Sequence, residues 1–384
     1  MQVLCCSFEK MAGWIKAWKL PVIMFGAGSV GMTIAPSLLQ RYDLTKYIEV
    51  CIDNDSRLWG KLVDMAGREV RVCSMDYLEY APKNAVILLN VSRYQDILRK
   101  LDSLDSTKKM KCLIIPMMCF HNFHNFYRAG EGNIIKTEKP LIPKRIHYMW
   151  FGKNPLPQNL RRCIDSWKKH CPDYEIVRWD ENNYDLDRNP YMRQAYEKGA
   201  YGFIPDYGRL DILYRYGGIY MDTDVELLRP LDPLLYQEAF CGVEKWQLIN
   251  CGGCCGAMPG HRAIKALLDE RRGVSFVRAD GSLHKMPSGY FETKAVIRYG
   301  YQINGMNQNV LGMNIYSSDY FHPYDYMTGK TEVTENTVSI HWFNGGWLDE
   351  VMKQENRETS ERFDAVYREA LKSAERYMVD EREG

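Results

Sequence analysis

Residues 204–224 read IPDYGRLDILYRYGGIYMDTD, a stretch that combines a helix, a stop and a short strand. Leu210 and Leu213 recur at helical spacing, which predicts an apolar stripe on one face of an α-helix. The glycines at 217–218 favour the left-handed backbone conformation that ends a helix. The apolar run 219–221 then predicts a short buried strand, and its end presents two aspartates. A helix followed so closely by a strand is typical of an α/β fold.

Asp222 and Asp224 end that predicted strand. On an extended backbone, residues two apart point to the same side, so these carboxylates would lie close together and repel each other. A hard divalent cation relieves the repulsion and leaves positions open for phosphate oxygens. Asp206 and Arg209 are three residues apart on the preceding helix and can face the same crevice, where they would bind hydroxyl or phosphate groups. The structural alternative for Arg209 is an ion pair with Asp206 or Asp211.

The ordered set D-x-x-R, G-G-x-Y and D-x-D falls within residues 206–224. It resembles the DXD-containing sugar-transferase family related to yeast initiating mannosyltransferases, bacterial capsule transferases and clostridial glucosylating toxins. The resemblance runs from about residue 140 to residue 347. Residues 142–152 are similar to the family's opening strand, and residues 339–347 to its closing histidine–tryptophan motif.

The chain departs from the family pattern at two places. Gly346 precedes Trp347 where the family often has a serine that helps to hold phosphate, and Gly289-Tyr290 stands where a Gly-Pro pair is common. The first departure concerns phosphate contacts at the C-terminal loop. The second concerns the geometry of the acceptor site.

The resemblance implies a retaining enzyme with a GT-A type domain, which transfers a hexose from a UDP- or GDP-linked donor to a sugar hydroxyl with the help of Mn²⁺ or Mg²⁺. It also implies which residues form the site. Catalysis would involve Asp206, Arg209, Asp222 and Asp224, the metal ligands would be Asp222, Asp224 and His341, and the donor would be bound by Trp150, Asp206, Arg209, Asp222, Thr223, Asn250 and Trp347. Trp150 would stack on the nucleotide base, and the structural alternative is that it only packs in the core. For His341 the structural alternative is a histidine whose hydrogen bonds are made within the protein.

A glycine loop, GAGSVG at residues 26–31, follows a predicted strand and opens a predicted helix. Gly26, Gly28 and Gly31 there suit the close approach of a pyrophosphate, and Asp53 at the end of the next strand suits ribose hydroxyls. The functional interpretation is binding of NAD(P) or of a sugar nucleotide. The structural alternative is that the glycines only allow the helix and the strand to pack closely.

The chain of 384 residues is long enough for two domains. Strands near 21–25, 48–52, 85–91 and 112–117 alternate with helices, which predicts a Rossmann-like parallel sheet over residues 1–135. After a polar linker near 128–140, we expect the GT-A type domain over residues 140–384, with a C-terminal helix from residue 349. The predicted fold class is therefore α/β throughout.

Composition narrows the function classes. A net charge of +1 gives no sign of a nucleic-acid partner.

Several cysteines lie in apolar runs, and the group at 251, 254 and 255 lacks the second Cys/His pair of a zinc ribbon, so we expect reduced thiols. We find no signal peptide and no apolar run of membrane-spanning length. Trp14, Ile15 and Trp18 predict either peripheral membrane contact or a helix packed on the first domain.

The sequence thus favours a cytoplasmic hexosyltransferase, with the inner face of the membrane as the alternative location, acting in bacterial capsular or other surface polysaccharide synthesis. Its partners would be a nucleotide-sugar donor and a glycan or glycolipid acceptor. Two alternatives stay open: an NAD(P)-dependent sugar-modifying enzyme acting through the first domain, and a catalytically silent sugar-nucleotide binding protein. The sequence does not indicate the donor sugar, the acceptor, the linkage or the oligomeric state.

Overall fold

The fold is taken from a computed structural model that describes residues 1–28, 30–91, 94–125, 132–345 and 350–380. The chain forms two compact units. Unit 1 comprises Met1–Tyr127, Met327–Gly329 and Glu350–Gly384, and unit 2 comprises Arg128–Tyr326 and Lys330–Asp349.

Unit 1 is built on one sheet with helices along the connections. Its strands are β1 Gln2–Leu4, β2 Val22–Phe25, β3 Ile48–Ile52, β4 Leu62–Asp64, β5 Glu69–Cys73, β6 Val86–Leu89 and β7 Lys111–Ile114. Its helices are α1 Phe8–Trp18, α2 Ala35–Arg41, α3 Gln95–Ser103 and α4 Ile115–Asn125, together with the C-terminal helix Glu350–Asp380. A turn of π-helix, Val30–Ile34, leads into α2.

The strands of unit 1 lie in the order β1-β7-β6-β2-β3-β5-β4, and all neighbouring pairs are parallel except β4 with β5. The chain runs outward from β2 in both directions, through β3 on one side and β6 on the other. This switch point is the feature of a Rossmann-like sheet. The predicted α/β class and the parallel N-terminal sheet are confirmed. The predicted last strand was too long, because residues from Ile115 onward form α4.

The glycine loop lies at the switch point, directly after β2. Gly26 has a φ of 101°, which side chains rarely adopt. A Cβ on Gly31 would overlap the carbonyl oxygen of Gly26, whereas a Cβ on Gly28 would meet nothing within 4 Å. The backbone conformation and close packing of the loop therefore explain why glycine occupies positions 26 and 31. They do not explain why glycine occupies position 28.

We expect Gly31→Ala to destabilise unit 1 by about 2 kcal/mol or more, because the added methyl group must displace the backbone of Gly26. Gly28→Ala is the matched control, and its free energy of unfolding should stay within about 0.5 kcal/mol of the wild type. Urea denaturation of the full chain measures both changes. Equal stability of the two variants would contradict the packing described for this loop.

The C-terminal helix Glu350–Asp380 lies in unit 1, and our placement of it in the second domain was wrong. The physical reason is its apolar side, where Phe363 is buried and packs edge-on against Phe120 with ring centroids 5.1 Å apart. The backbone N–H of Cys5 also donates to the Ala370 carbonyl oxygen at 3.1 Å. Burying a phenylalanine side chain stabilises by about 1.5–3 kcal/mol, so these contacts hold the helix in unit 1.

Helix α1 carries the aromatic stripe for which we weighed membrane contact. Trp14 and Ile15 are buried within unit 1, and Trp14 packs edge-on against Tyr377. Trp18 is 55% exposed. The stripe is thus used mainly for packing. None of the helices in the described ranges is long and apolar enough to cross a bilayer.

Unit 2 is a second α/β unit. Its strands are β8 Arg145–Met149, β9 Glu175–Trp179, β10 Gly218–Tyr220, β11 Val225–Leu227, β12 Ala239–Val243, β13 Ile249–Asn250, β14 Cys255–Ala257, β15 Gln308–Val310, β16 Met313–Tyr316, β17 Tyr324–Asp325, β18 Lys330–Thr331 and β19 Ser339–His341. Its helices are α5 Gln158–His170, α6 Pro190–Glu197, α7 Pro205–Tyr216, α8 Arg262–Glu270, α9 Ser288–Ile297 and α10 Ser318–Phe321.

The main sheet of unit 2 has the order β15-β16-β12-β14-β10-β8-β9, with β13 paired to β12. Strands β8, β9 and β10 are parallel, and β14 is antiparallel to both β10 and β12. A small separate sheet pairs β11 with β19. The core between them includes the fully buried Trp167, whose indole N–H donates to the Val225 carbonyl oxygen at 2.7 Å. This contact fixes β11 beside α5.

The segment that we expected to be an interdomain linker is part of unit 2 from Gly132 onward. The N–H of Asn133 donates to the Asn307 carbonyl oxygen at 3.1 Å, and the N–H of Ile135 donates to Asn314 Oδ1 at 3.0 Å. Backbone hydrogen bonds of this kind explain why a polar, turn-rich segment packs against the unit. Residues 126–131, which include the beginning of the expected linker, lie outside the described residues.

Candidate functional site

Helix α7 and strand β10 set up the site. Pro205 begins α7, where its missing N–H costs no hydrogen bond, and Asp206 lies in the first turn. The helix ends at Tyr216, and the two glycines that follow, Gly217 and Gly218, have φ angles of 65° and 96°. A Cβ on Gly218 would lie 2.8 Å from the carbonyl oxygen of Arg145. The glycine pair therefore lets the chain turn sharply from α7 into a strand packed closely on β8.

The two aspartates of the D-T-D motif lie in a turn, so our expectation of an extended backbone was wrong. Strand β10 ends at Tyr220, and the N–H of Val225 donates to the Asp222 carbonyl oxygen at 3.1 Å. The N–H of Asp222 donates to the carbonyl oxygen of Gly252 at 2.8 Å. The turn arises because the chain must pass from the main sheet into the small sheet at β11.

The small sheet brings His341 to the aspartates. Val225 of β11 lies opposite His341 of β19, so this histidine is next to Asp224. One ligand atom each from Asp222, Asp224 and His341 lie within 4.8 Å of one another. In the described ranges, no other group of three or more histidine, cysteine, aspartate or glutamate side chains is this compact. The three predicted metal ligands thus come from two segments more than a hundred residues apart.

Asp224, which is partly buried, lies in direct contact with the buried His341. His341 Nε2 lies 3.3 Å from Asp224 Oδ1, and the other oxygen of Asp224 accepts from the N–H of Asn344 at 2.9 Å. Burial alone would raise the pKa of Asp224, but the charge and hydrogen bond of His341 outweigh it, so the net shift is downward. Burial would likewise lower the pKa of His341, and Asp224 turns the net shift upward. Each group therefore favours the charged form of the other.

This donor set fits a divalent cation. Two carboxylates and one imidazole are the ligands that Mn²⁺ accepts readily. Two ligand atoms that share one ion at right angles, with bonds of about 2.1 Å, are about 3 Å apart. The separation of 3.3 Å between His341 Nε2 and Asp224 Oδ1 is close to this value. The assignment of these residues as metal ligands stays a prediction.

Arg209 is the buried centre of a network of acidic groups. Its Nη2 donates to both oxygens of Asp222 at 3.1 and 3.2 Å and lies 3.8 Å from Asp206. Its Nη1 lies 3.8 Å from Glu292 and 3.5 Å from the hydroxyl of Ser288. The guanidinium also lies over the ring of Tyr220. The predicted crevice partners therefore lie together, and Arg209 orients Asp222 by a charge-assisted hydrogen bond to each oxygen.

Asp211, the other structural partner that we considered for Arg209, is used elsewhere. Its carboxylate accepts from Arg188 at 2.8 and 3.0 Å, from Arg215 at 3.1 Å and from the hydroxyl of Tyr184 at 2.9 Å. These contacts supply the hydrogen bonds that the Asp211 carboxylate accepts, on the side of α7 that faces away from Arg209. Arg209 is thereby left to the acidic groups of the candidate site.

The loop that follows β13, which includes Gly252 and Gly253, packs against Asp222. Asn250 Oδ1 accepts from the N–H groups of Gly252 and Gly253 at 2.9 and 3.2 Å. The same side chain makes a hydrogen bond with the buried carboxyl group of Glu244, whose pKa burial raises to about 7. A Cβ on Gly252 would overlap the Asp222 carboxylate. We predicted that Asn250 binds the donor. In the structure its side chain stabilises the loop that packs against Asp222.

Sequence reasoning missed three residues of this network: Glu244, Gly252 and Glu292. Glu292 is buried on α9, and its Oε2 accepts from the N–H of Cys251 at 2.9 Å. Burial raises its pKa well above the ordinary range, and Arg209 opposes the shift only in part. The available signal was an acidic residue in an otherwise apolar part of a helix. Its partners, however, are set by tertiary contacts.

The remaining predicted donor residues are placed as follows. Trp150 is partly buried, packs against the core of unit 2 and donates its indole N–H to the Asn154 carbonyl oxygen at 2.8 Å. Thr223 lies between the two aspartates and is partly buried. Trp347 and Gly346 lie outside the described residues. Roles in donor binding stay predictions for all of them.

In unit 1, Asp53 supports the glycine loop. One of its carboxylate oxygens accepts from the N–H of Ala27 at 2.7 Å, and the other accepts from the N–H of Asp55 at 2.8 Å. A ribose would have to compete with these backbone hydrogen bonds. This use of Asp53 agrees with the packing alternative for the loop, and nicotinamide binding there stays a prediction.

The twelve cysteines are all free thiols, and all but Cys73 are buried. Cys251, Cys254 and Cys255 are among the buried ones. They are not part of the compact ligand group described above. Their burial suits small apolar side chains in the core of unit 2.

Comparison with known proteins gives a family for the segment that carries the motifs. Residues 157–241 match the family described as the glycosyltransferase sugar-binding region containing the DXD motif. This range extends from α5 to β12 and includes Asp206, Arg209, Asp222 and Asp224. The resemblance inferred from the motifs is confirmed.

Several curated proteins are similar to this chain. Inositol phosphoceramide mannosyltransferase 3 of Schizosaccharomyces pombe is 36% identical over 115 residues, which are 28% of this chain and 31% of that protein. Mannosyl phosphorylinositol ceramide synthase SUR1 of Saccharomyces cerevisiae is 34% identical over 140 residues, 33% of this chain and 35% of that protein. The chain thus spans about a third of the length of the curated relatives it matches.

Solved structures give a weaker likeness. The PaToxG glycosyltransferase is 17% identical and covers 48% of this chain and 76% of its own, with a TM-score of 0.32. A TM-score this low does not establish a shared fold. The family relationship therefore rests on residues 157–241 and on the motifs within them.

Proposed function

We propose that this chain, whose residues 157–241 belong to the glycosyltransferase sugar-binding family with the DXD motif, is a metal-dependent hexosyltransferase. The donor is a UDP- or GDP-linked hexose, and the acceptor is a hydroxyl group of a glycan or glycolipid. The observation that carries this proposal is the meeting of Asp222, Asp224 and His341 at one point of unit 2. A silent binding protein would have no need to keep a compact, charged ligand set.

In this proposal each residue has a defined task. A divalent cation, when bound by Asp222, Asp224 and His341, neutralises charge on the leaving diphosphate. Arg209 holds the Asp222 carboxylate through both oxygens, so its direction is fixed before the donor arrives. Asp206 accepts hydrogen bonds from donor hydroxyls. The Gly252 loop excludes other groups from the Asp222 side.

The finer parts of the proposal rest on the family resemblance alone. These are retention of the anomeric configuration, a role in capsular or other surface polysaccharide synthesis, and a cytoplasmic site of action at the inner face of the membrane. The similar yeast proteins are named as mannosyltransferases, so mannose is the first donor sugar to test. NMR of the product's anomeric proton separates retention from inversion.

A screen of donor hydrolysis tests the proposed function. UDP- and GDP-linked hexoses are incubated with the purified full chain in Mn²⁺, in Mg²⁺ and in EDTA, and release of UDP or GDP is measured. We expect release from at least one donor with Mn²⁺ and a drop of at least about 100-fold in EDTA, since the cation contributes several kcal/mol to leaving-group stabilisation. Turnover that is equal in EDTA, or that is absent with every donor, would contradict the proposal.

A further inference from the structure

Arg271 is a buried arginine whose guanidinium makes no hydrogen bond of normal length. It directly follows the last residue of α8 and is 2% exposed. Within the ranges that the structure describes, neither Nε nor Nη1 nor Nη2 has a hydrogen-bond partner. Burying a charged group that has only a long ion-pair contact costs several kcal/mol. Its N–H groups are therefore open to an acceptor that the described side chains do not supply at short distance.

The surroundings hold Arg271 by ring contacts, by a weak interaction with the Tyr191 hydroxyl and by a long ion pair with Asp206. Its guanidinium carbon lies 4.5 Å from the ring centre of Phe291 and 5.8 Å from that of Tyr191. Such cation–π contacts fix the side chain but leave its N–H groups without a short hydrogen bond. The nearest carboxylate oxygen, Asp206 Oδ2, is 3.6 Å from Nη2, which is too long for a direct hydrogen bond. The guanidinium is therefore fixed beside Asp206 with free donors.

Asp206, like Arg271, makes only long contacts with its neighbours. Besides Arg271, the Asp206 carboxylate contacts the hydroxyl of Tyr191 at 3.4 Å and the guanidinium of Arg209 at 3.8 Å. These contacts are long, so the carboxylate keeps capacity to accept short hydrogen bonds. The Asp206 carboxylate, an acceptor, and the Arg271 guanidinium, a set of donors, thus lie side by side in the interior of unit 2. Arg209 connects this place to Asp222 of the candidate metal site.

The chemistry of the pair restricts its ligand. The Asp206 carboxylate would repel a phosphate group, and an apolar group would leave both charges unsatisfied. A pair of neighbouring hydroxyl groups suits both, because one hydroxyl can donate to the carboxylate while the oxygen of the next accepts from the guanidinium. In a nucleotide-sugar the hexose is bonded to the diphosphate, so its hydroxyls come next to the metal site.

We infer that Arg271 and Asp206 together bind two neighbouring hydroxyl groups of the transferred hexose, and that Arg271 is a specificity-determining residue for the sugar. This inference rests on the proposed function. It assigns to the D-x-x-R aspartate a partner that lies in no sequence motif. Loss of Arg271 should therefore affect recognition of the sugar and leave recognition of the nucleotide unchanged.

Arg271→Met tests the inference, with Arg272→Met as the matched control. Met keeps much of the volume of the side chain, and the control removes a neighbouring arginine that is 78% exposed and pairs with the exposed Asp269. Calorimetry with Mn²⁺ present gives the Kd of the nucleoside diphosphate and of the nucleotide-hexose that the wild type turns over. We expect Arg271→Met to bind the diphosphate within 2-fold of wild type and the nucleotide-hexose about 10- to 100-fold more weakly. Arg272→Met should match the wild type for both.

Deoxy donors, each lacking one ring hydroxyl, separate a direct contact from a structural role. The wild type should lose about 10-fold or more in affinity for at least one of them, and Arg271→Met should no longer discriminate against that donor. Arg271→Lys repeats the test with the charge kept, and it serves if the Met variant does not fold. It should also lose the discrimination, because a single ammonium lacks the planar set of donors.

The outcomes distinguish this inference from the proposed function. If the wild type hydrolyses a donor but Arg271→Met and Arg271→Lys keep its preference for the sugar and its discrimination among deoxy donors, the inference is wrong and water satisfies the guanidinium. If the wild type binds and hydrolyses no nucleotide-sugar, the proposed function fails, and the inference fails with it.

Discussion

Asp224→Asn is expected to lower the rate of donor turnover by about 1000-fold or more, equivalent to about 4 kcal/mol of lost transition-state stabilisation. Asparagine has the same shape and can still accept from the N–H of Asn344, so the loop conformation should persist. What disappears is the negative charge that faces His341 at 3.3 Å. A neutral amide is a poor ligand for a divalent cation compared with a carboxylate. The loss should therefore reside in metal binding and not in folding.

Asp165→Asn is the control for that change. Asp165 lies on α5 within the family-matched segment, and its exposed carboxylate pairs with Lys168 at 3.0 Å. An exposed pair of this kind contributes little, so the variant should retain wild-type turnover and stability. Full activity of Asp224→Asn, or an equal loss in both variants, would rule out a special role of Asp224.

Gly252→Ala is expected to lower turnover by about 100-fold or more, although the added group is only a methyl. Its Cβ would overlap the Asp222 carboxylate and lie 3.1 Å from Arg209 Nη1. Asp222 cannot simply move away, because its N–H is held by the carbonyl oxygen of Gly252 and its oxygens by Arg209. Even small displacements of a positioned group cost about this much in rate. Steady-state kinetics and the melting temperature measure the effect on activity and on folding.

The control for Gly252→Ala is Gly13→Ala. Gly13 lies in helix α1, where a Cβ would meet nothing within 4 Å. Alanine there should leave turnover unchanged and stabilise the chain by about 0.5–1 kcal/mol. The double variant Gly252→Ala with Asp224→Asn adds a second check. Because both substitutions disable one site, its turnover should resemble that of Asp224→Asn alone, and additive losses would contradict a shared site.

The sequence predicts those parts of the molecule that depend on local periodicity and on motif spacing. Strand β3 occurs as predicted, and the strands at β2 and β6 lie within their predicted ranges. The turn from α7 into β10 follows from the glycine pair, whose backbone angles a side chain would not tolerate. Apolar runs of strand length and left-handed stops are local properties, so one sequence is enough to find them.

Other features depend on contacts between distant segments. The C-terminal helix gives no local sign that Phe363 meets Phe120. Asp222 and Asp224 were placed on an extended strand because the pattern does not reveal that β11 leaves the main sheet to pair with β19. Glu292 is a charged residue on helix α9, and Arg271 directly follows helix α8. Charged residues in such positions are normally exposed to solvent, and only tertiary packing buries these two.

The measurement that tests the central claim most directly is the binding of Mn²⁺ to the full chain, followed by electron paramagnetic resonance of the free ion. The account predicts one Mn²⁺ per chain in the wild type in the presence of UDP or GDP, and loss of that binding in Asp224→Asn but not in Asp165→Asn. Equal Mn²⁺ binding by all three proteins, or donor turnover by a wild type that binds no Mn²⁺, would contradict it.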